Sequence, residues 1–132
     1  MVAVLETRHV LLLEDDPISQ EFVEHALSSV GLRVTSSAKA VDALVLARQK
    51  HFDLVIADYH LPDYPGSDFV RLLRQSDYYR HVPVILFTGR ADELDQKRLC
   101  DDLFLLVLSK GCSSVHLLTA VFKCLAAIRC TL

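Results

Sequence analysis

Five short runs of strand-like character punctuate the chain, at His9–Glu14, Arg33–Ser36, Leu54–Asp58, Val84–Thr88 and Phe104–Ser109, with helical patterns between them. Leu54-Val55-Ile56-Ala57 is apolar without alternation, which is how a strand buried on both faces of a parallel sheet reads. Strict strand–helix alternation with short connections implies a parallel sheet, helices on both faces and right-handed crossovers. The first helix opens at Asp16-Pro17, an acceptor side chain followed by proline at the first helical position, and ends at Gly31. Its expected core stripe is Ile18, Phe22, Leu27 or Ala26, and Val30. A second helix is expected from about Ala38 to Lys50, burying Val41, Leu44 or Val45, and Ala47. A third begins after Gly66 and buries Phe69, Leu72 and Leu73. A weaker fourth pattern spans about Asp92 to Asp101, and a last helix about Ser113 to Arg129. With no linker, repeat or low-complexity segment, residues 1–132 are expected to form one domain with a core of about 9–128.

Composition narrows the chemistry. A hydrophobic fraction of 52% with 23% charged residues is that of an oily globular chain. A net charge of −3 with no basic block gives no general attraction to nucleic acid or to anionic membrane. No stretch approaches the ~20 apolar residues of a membrane span. The opening Met1-Val2-Ala3-Val4-Leu5-Glu6 lacks the basic segment and long apolar core of a secretory leader. Cys100, Cys112, Cys124 and Cys130 form no Cys-x-x-Cys pair and have no histidine at metal-finger spacing. They are expected as buried or half-buried free thiols in a reducing cytoplasm.

The strand ends carry the polar groups: Glu14-Asp15 after the first, Asp58 after the third, Thr88 after the fourth and Lys110 after the fifth. In a parallel sheet these ends share one edge, where open α/β sheets place their ligands. Carboxylate oxygens suit Mg²⁺, which keeps several waters and takes only one or two protein carboxylates. A phosphoryl group beside such a cation also calls for a second cation and a neutral donor, which Lys110 and Thr88 can supply. An aspartate can act as the nucleophile and form an aspartyl phosphate. Asp58 is the choice for that role, with Glu14 and Asp15 holding the cation. Asp53, Asp63, Asp68 and Asp77 are read as caps or solvated turn residues.

From about His9 to Ile128 the chain resembles the receiver domains of two-component response regulators. Leu12-Leu13-Glu14-Asp15-Asp16-Pro17 looks like that family's acidic cluster, and Asp58-Tyr59-His60-Leu61-Pro62-Asp63-Tyr64-Pro65-Gly66 like its phosphoacceptor loop. Leu86-Phe87-Thr88-Gly89 is similar to its strand-four motif, with Thr88 thirty residues after Asp58, and Lys110 falls where the family has a lysine. The resemblance implies Asp58 as phosphoacceptor and Asp15 as direct metal ligand. It also implies Glu14 binding through water and the His60 backbone carbonyl completing the protein ligands. Thr88 would then hydrogen-bond the phosphoryl group and Lys110 pair with it. The chain departs from the family pattern at Gly111, in place of a usual proline, at Val107, in place of a frequent aromatic, and at Leu99-Cys100-Asp101-Asp102-Leu103-Phe104, in place of a small Ala/Gly turn before strand five.

The expected fold is a doubly wound, five-stranded parallel α/β sheet of order 2-1-3-4-5, flavodoxin-like. The expected function is Mg²⁺-dependent acceptance of a phosphoryl group on Asp58 from a histidine kinase or phosphotransfer protein, which switches a partner-binding surface. No other enzymatic activity is expected beyond slow self-dephosphorylation, with His60 and Arg90 bordering the path of water. The alternatives are a phosphate-independent interaction module, or a Mg²⁺-dependent phosphohydrolase whose second aspartate position holds His60. The last helix carries an apolar arc of Leu117, Leu118, Val121, Phe122, Leu125 and Ile128, wider than one buried stripe requires. With the fifth strand and the fourth helical segment it is the expected surface for an output partner or a second copy.

Overall fold

The structure, a computed structural model, describes residues 8–89, 102 and 104–130. The fourth helical segment, Asp92 to Asp101, and Arg90 lie outside the described residues. Strands β1 (His9–Leu13), β2 (Arg33–Ser37), β3 (Leu54–Asp58), β4 (Val84–Thr88) and β5 (Leu105–Ser109) form one sheet in the order β2-β1-β3-β4-β5. Every pairing is parallel. Each strand lies within one residue at either end of the run expected for it.

Alternating side chains build two apolar layers, as the period of a strand requires. Leu11, Leu13, Val55, Ala57, Val84 and Leu86 face α2 (Ala40–Gln49) and α3 (Gly66–Leu73). Val10, Leu12, Leu54, Ile56, Ile85 and Phe87 face α1 (Pro17–Ser28) and α4 (Ser114–Cys130). No helix among the described residues is long and apolar enough to cross a membrane.

The helix faces differ in part from expectation. α1 buries Val23, Ala26 and Leu27, whereas Ile18 is 78% exposed and Val30 is exposed beyond the helix end. Ile18 belongs to the first turn, which starts past the sheet edge where the apolar layer ends. α2 buries Ala40, Ala43 and Ala47 and turns Val41 and Val45 outward. Alanines let that helix lie close to the sheet, so small size rather than hydrophobicity marks its inner face. In α3, Val70 is buried and Leu72 only half-buried. In α4, Leu117, Val121 and Leu125 are buried and Leu118 half-buried, while Phe122 is 48% exposed. The Ile128 side chain lies outside the described residues.

Local signals set the helix ends. Asp16 Oδ2 accepts the Ser19 N–H at 3.0 Å, the cap expected ahead of Pro17. Gly31, at φ 87°, closes α1 with Leu32 N–H donating to the Leu27 carbonyl. α2 has no cap of its own, since the Lys39 side chain makes no cap bond. Asp63, from the loop after β3, serves instead. Its Oδ1 accepts the Ala40 N–H at 2.9 Å and its Oδ2 the Val41 N–H at 3.0 Å. Below the sheet, Arg74 at the end of α3 donates to Asp102 at 2.9 Å and to the carbonyls of Tyr79, Val82 and Phe104. That guanidinium joins α3 to the chain just before β4 and β5.

Replacing Asp63 with alanine leaves two helix amides without their acceptor, and at neutral pH the expected cost is about 1 kcal/mol. Partial burial pushes the Asp63 carboxyl up, but the amides of Ala40 and Val41 outweigh it and hold the group below its ordinary 3.8. A depressed carboxyl contributes stability that is complete above the unfolded value and lost as pH falls through the folded one. Urea denaturation of wild type and Asp63→Ala is therefore expected to show a gap at pH 7 that closes as pH is lowered below about 4. A gap that persisted unchanged at pH 3 would contradict the cap.

Candidate functional site

At the C-terminal edge of the sheet, β1 ends at Leu13 and the Glu14 N–H donates to the Ser37 carbonyl at 2.9 Å. This bond turns the Glu14 side chain into the protein, 1% exposed, while Asp15 stays exposed. β3 ends at Asp58, buried at 5% exposure, whose Oδ1 accepts the His60 N–H at 3.1 Å. After β5 the Lys110 N–H donates to the Thr88 carbonyl at 2.8 Å, carrying the β4–β5 ladder one step further. The Lys110 ammonium then spans the edge, donating to Glu14 Oε1 at 2.9 Å and to Asp58 Oδ2 at 3.0 Å. The residues are brought together from positions 52 and 96 apart in the chain.

Burial pushes the Glu14 carboxyl above its ordinary value, and the neighbouring Asp58 charge adds to it, against the opposing bond from Lys110. Burial pulls the Lys110 ammonium down, but its bonds to Glu14 and Asp58 outweigh that and leave it raised. Glu14 Oε2 is buried and has no hydrogen-bond partner among the described residues. A buried carboxylate oxygen left in that condition is costly unless something electropositive meets it. One carboxylate oxygen each of Glu14, Asp15 and Asp58 lies within 4.8 Å of the others. An all-oxygen donor set with a buried, unsatisfied oxygen fits a small hard cation such as Mg²⁺.

Thr88 is fully buried at the end of β4, one residue past Phe87, the β4 partner of Asp58. His60 is exposed and pairs with Pro65 across the loop that follows β3. That loop closes on itself through the Gly66 N–H, which donates to the Tyr59 carbonyl at 2.6 Å. A Cβ at Gly66 would lie 2.8 Å from the Asp58 carbonyl oxygen and from Tyr59 Cα, so only glycine allows α3 to start this close behind Asp58. At Gly111 the turn is closed by Ser109, whose hydroxyl accepts the Gly111 N–H at 3.1 Å and whose carbonyl accepts that of Cys112. Val107 is half-buried against the α2–α3 face. The reach of Asp63 to α2 went unread in the sequence; its partner is more than twenty residues away and no local motif marks it.

Comparison with known proteins agrees with this geometry. The family described as the response regulator receiver domain matches residues 10–122. The polar-differentiation response regulator DivK of Brucella ovis is 29% identical over 93 residues, covering 70% of this chain and 76% of that protein. The receiver domain of the sensor histidine kinase PA1611 from Pseudomonas aeruginosa PAO1 was solved with a magnesium ion coordinated in its active-site cleft. It superposes with a TM-score of 0.83 at 28% identity, over 91% of this chain and 98% of that one. The chemotaxis response regulator CheY4 of Vibrio cholerae, at 24% identity, shares the fold with a TM-score of 0.82 over 89% of this chain and 98% of that one. With its sheet order, its acidic edge and a family match across most of its length, the chain belongs to the response regulator receiver domains of two-component signalling systems.

Proposed function

We propose that the chain is one receiver domain, with a core of residues 9–128, that accepts a phosphoryl group on Asp58 from the phosphohistidine of a histidine kinase or phosphotransfer protein. The observation that carries this reading is the Lys110 ammonium set between Glu14 and Asp58, beside a buried Glu14 oxygen that has no partner. Glu14, Asp15, Asp58 and the His60 backbone carbonyl are the groups that would hold Mg²⁺. When bound, the ion offsets negative charge on the phosphoryl oxygens. A carboxylate oxygen of Asp58 attacks phosphorus; the O–P bond forms as the N–P bond breaks, and the electron pair stays on the departing imidazole nitrogen. The His60 N–H orients the attacking carboxylate through Oδ1. Lys110 exchanges part of its hold on the carboxylates for a charge-assisted bond to the transferred group, and the Thr88 hydroxyl donates to the same oxygens.

Transfer changes the charge and bonding at the ends of β3, β4 and β5, and a two-state shift of the β5–α4 face would pass the signal to an output partner or a second copy. Supporting this surface, Leu106 on β5 and Phe122 on α4 are 39% and 48% exposed. The half-buried free thiols of Cys112 and Cys124 suit a cytoplasmic protein.

Phosphorylation with Mg²⁺ and a small phosphodonor, mapped by mass spectrometry, is expected at Asp58. Asp58→Asn is expected to abolish labelling with the fold retained, and stoichiometric labelling of that variant would sink the assignment.

Calorimetric titration separates the two acids after β1. Asp15, exposed at the site, is expected to matter most to divalent affinity, and Glu14→Gln to cost on the order of tenfold, as groups outside the direct ligand shell do. Equal losses in Asp15→Asn and Glu14→Gln would refute this division.

Association through the β5–α4 face is expected to weaken when Phe122 becomes glutamate, by ~1.5–3 kcal/mol if the ring is buried in the complex. Sedimentation before and after phosphorylation is the measurement. Identical profiles for wild type and Phe122→Glu, with and without the output partner, would rule the face out.

A further inference from the structure

We propose that Asp63 is a positioning residue of the phosphoacceptor site, acting through the loop between β3 and α3 and not by contact with Asp58. The inference rests on the reading of Asp58 as phosphoacceptor. Residues 59–65 and Asp15 line a cleft of about 390 Å³. His60, Leu61 and Pro62 line it on the loop side. Where the loop stands therefore sets both the width of the cleft and the placement of the His60 main chain.

Hydrogen bonds hold the loop at its root, its base and its tip. At its root, the His60 N–H is bonded to Asp58 Oδ1 at 3.1 Å. Across its base, Gly66 N–H meets the Tyr59 carbonyl at 2.6 Å and His60 pairs with Pro65. At its tip, the two Asp63 oxygens take separate amides of α2, Ala40 and Val41. The first two holds are within the loop and its own flanks, while Tyr59 N–H reaches the Phe87 carbonyl at 3.4 Å and Leu61 packs against the core; among the described residues, the Asp63 carboxylate supplies the hydrogen bonds from the tip to α2. Two acceptors on one carboxylate, engaged by two consecutive N–H groups, fix orientation as well as position. The anchor is stiff, because Ala40, Ala43 and Ala47 seat α2 against the sheet, each at most 3% exposed. Asp63 is itself exposed and three residues from His60, so its influence reaches Asp58 only through the backbone it tethers.

The test compares wild type with Asp63→Ala, which removes both acceptors, and Asp63→Asn, which keeps one. Hydrogen exchange of the His60 backbone amide, followed by NMR, reads the loop directly. Mg²⁺ titration and the rate of labelling by a small phosphodonor read the site, under conditions where urea curves show every protein folded. Asp63→Ala is expected to speed His60 amide exchange severalfold and to lower Mg²⁺ affinity and labelling rate by roughly tenfold, the effect typical of groups that orient ligands from behind. Asp63→Asn is expected to fall between. A loss of stability alone, with His60 exchange, Mg²⁺ affinity and labelling rate unchanged in both variants, would overturn the proposal and leave Asp63 a plain helix cap. Wild type that neither binds Mg²⁺ nor labels would overturn the phosphoacceptor reading instead, and the His60 amide would still decide whether Asp63 tethers the loop.

Discussion

The contact on which the site depends is a single ammonium shared by two buried carboxylates. Glu14 and Asp58 sit at the ends of adjacent strands, each almost sealed from water, and two such charges side by side repel in a medium that screens poorly. Lys110 makes the pair tolerable by donating to one oxygen of each. A buried pair stripped of its counter-charge is strongly destabilising. The sheet edge is thus ordered only when β1, β3 and the segment after β5 are in register together, and the fold and the chemistry become one requirement. The leftover Glu14 oxygen shows that the balance is incomplete with protein groups alone.

Much of the fold could be read directly. Val84-Ile85-Leu86-Phe87 and Leu54-Val55-Ile56-Ala57 have no polar interruption, so no other element suits them, and their acid or hydroxyl terminators mark where they end. Asp16-Pro17 and Gly31 punctuate α1 because capping is decided within four residues. Inner helix faces were harder. Of the residues expected to face the sheet from α2, Ala47 is buried and Leu44 packs against the core, but Val41 is exposed and Ala40 and Ala43 take the inner positions, since the gap between layers rewards small side chains and a sequence does not display the gap.

The site shows the same division. That Glu14, Asp15, Asp58, Thr88 and Lys110 share an edge followed from topology, because every parallel strand delivers its last residue to the same side. Which oxygen Lys110 takes, and that it takes Glu14 as well as Asp58, depends on side-chain reach across strands and is invisible in spacing. Asp63 is the clearest case. In the sequence it reads as a cap or a turn residue, and which helix it caps is settled by how the loop folds back over the sheet edge. At Gly111, a missing proline is answered by Ser109, whose hydroxyl and carbonyl both close the turn.

Among the described residues β5 lies at the margin of the sheet, with β4 as its neighbour there, and its residues are half-buried or exposed rather than enclosed like those of β3. The lysine that neutralises the centre is therefore carried by the outermost ribbon. Its grip on Glu14 and Asp58 rivets that ribbon across β4 to the middle of the molecule, supplying by charge a hold that an inner strand gets from a second neighbour. Whatever draws the ammonium off either carboxylate also removes this rivet, and leaves the β4–β5 ladder to hold the margin of the sheet by itself.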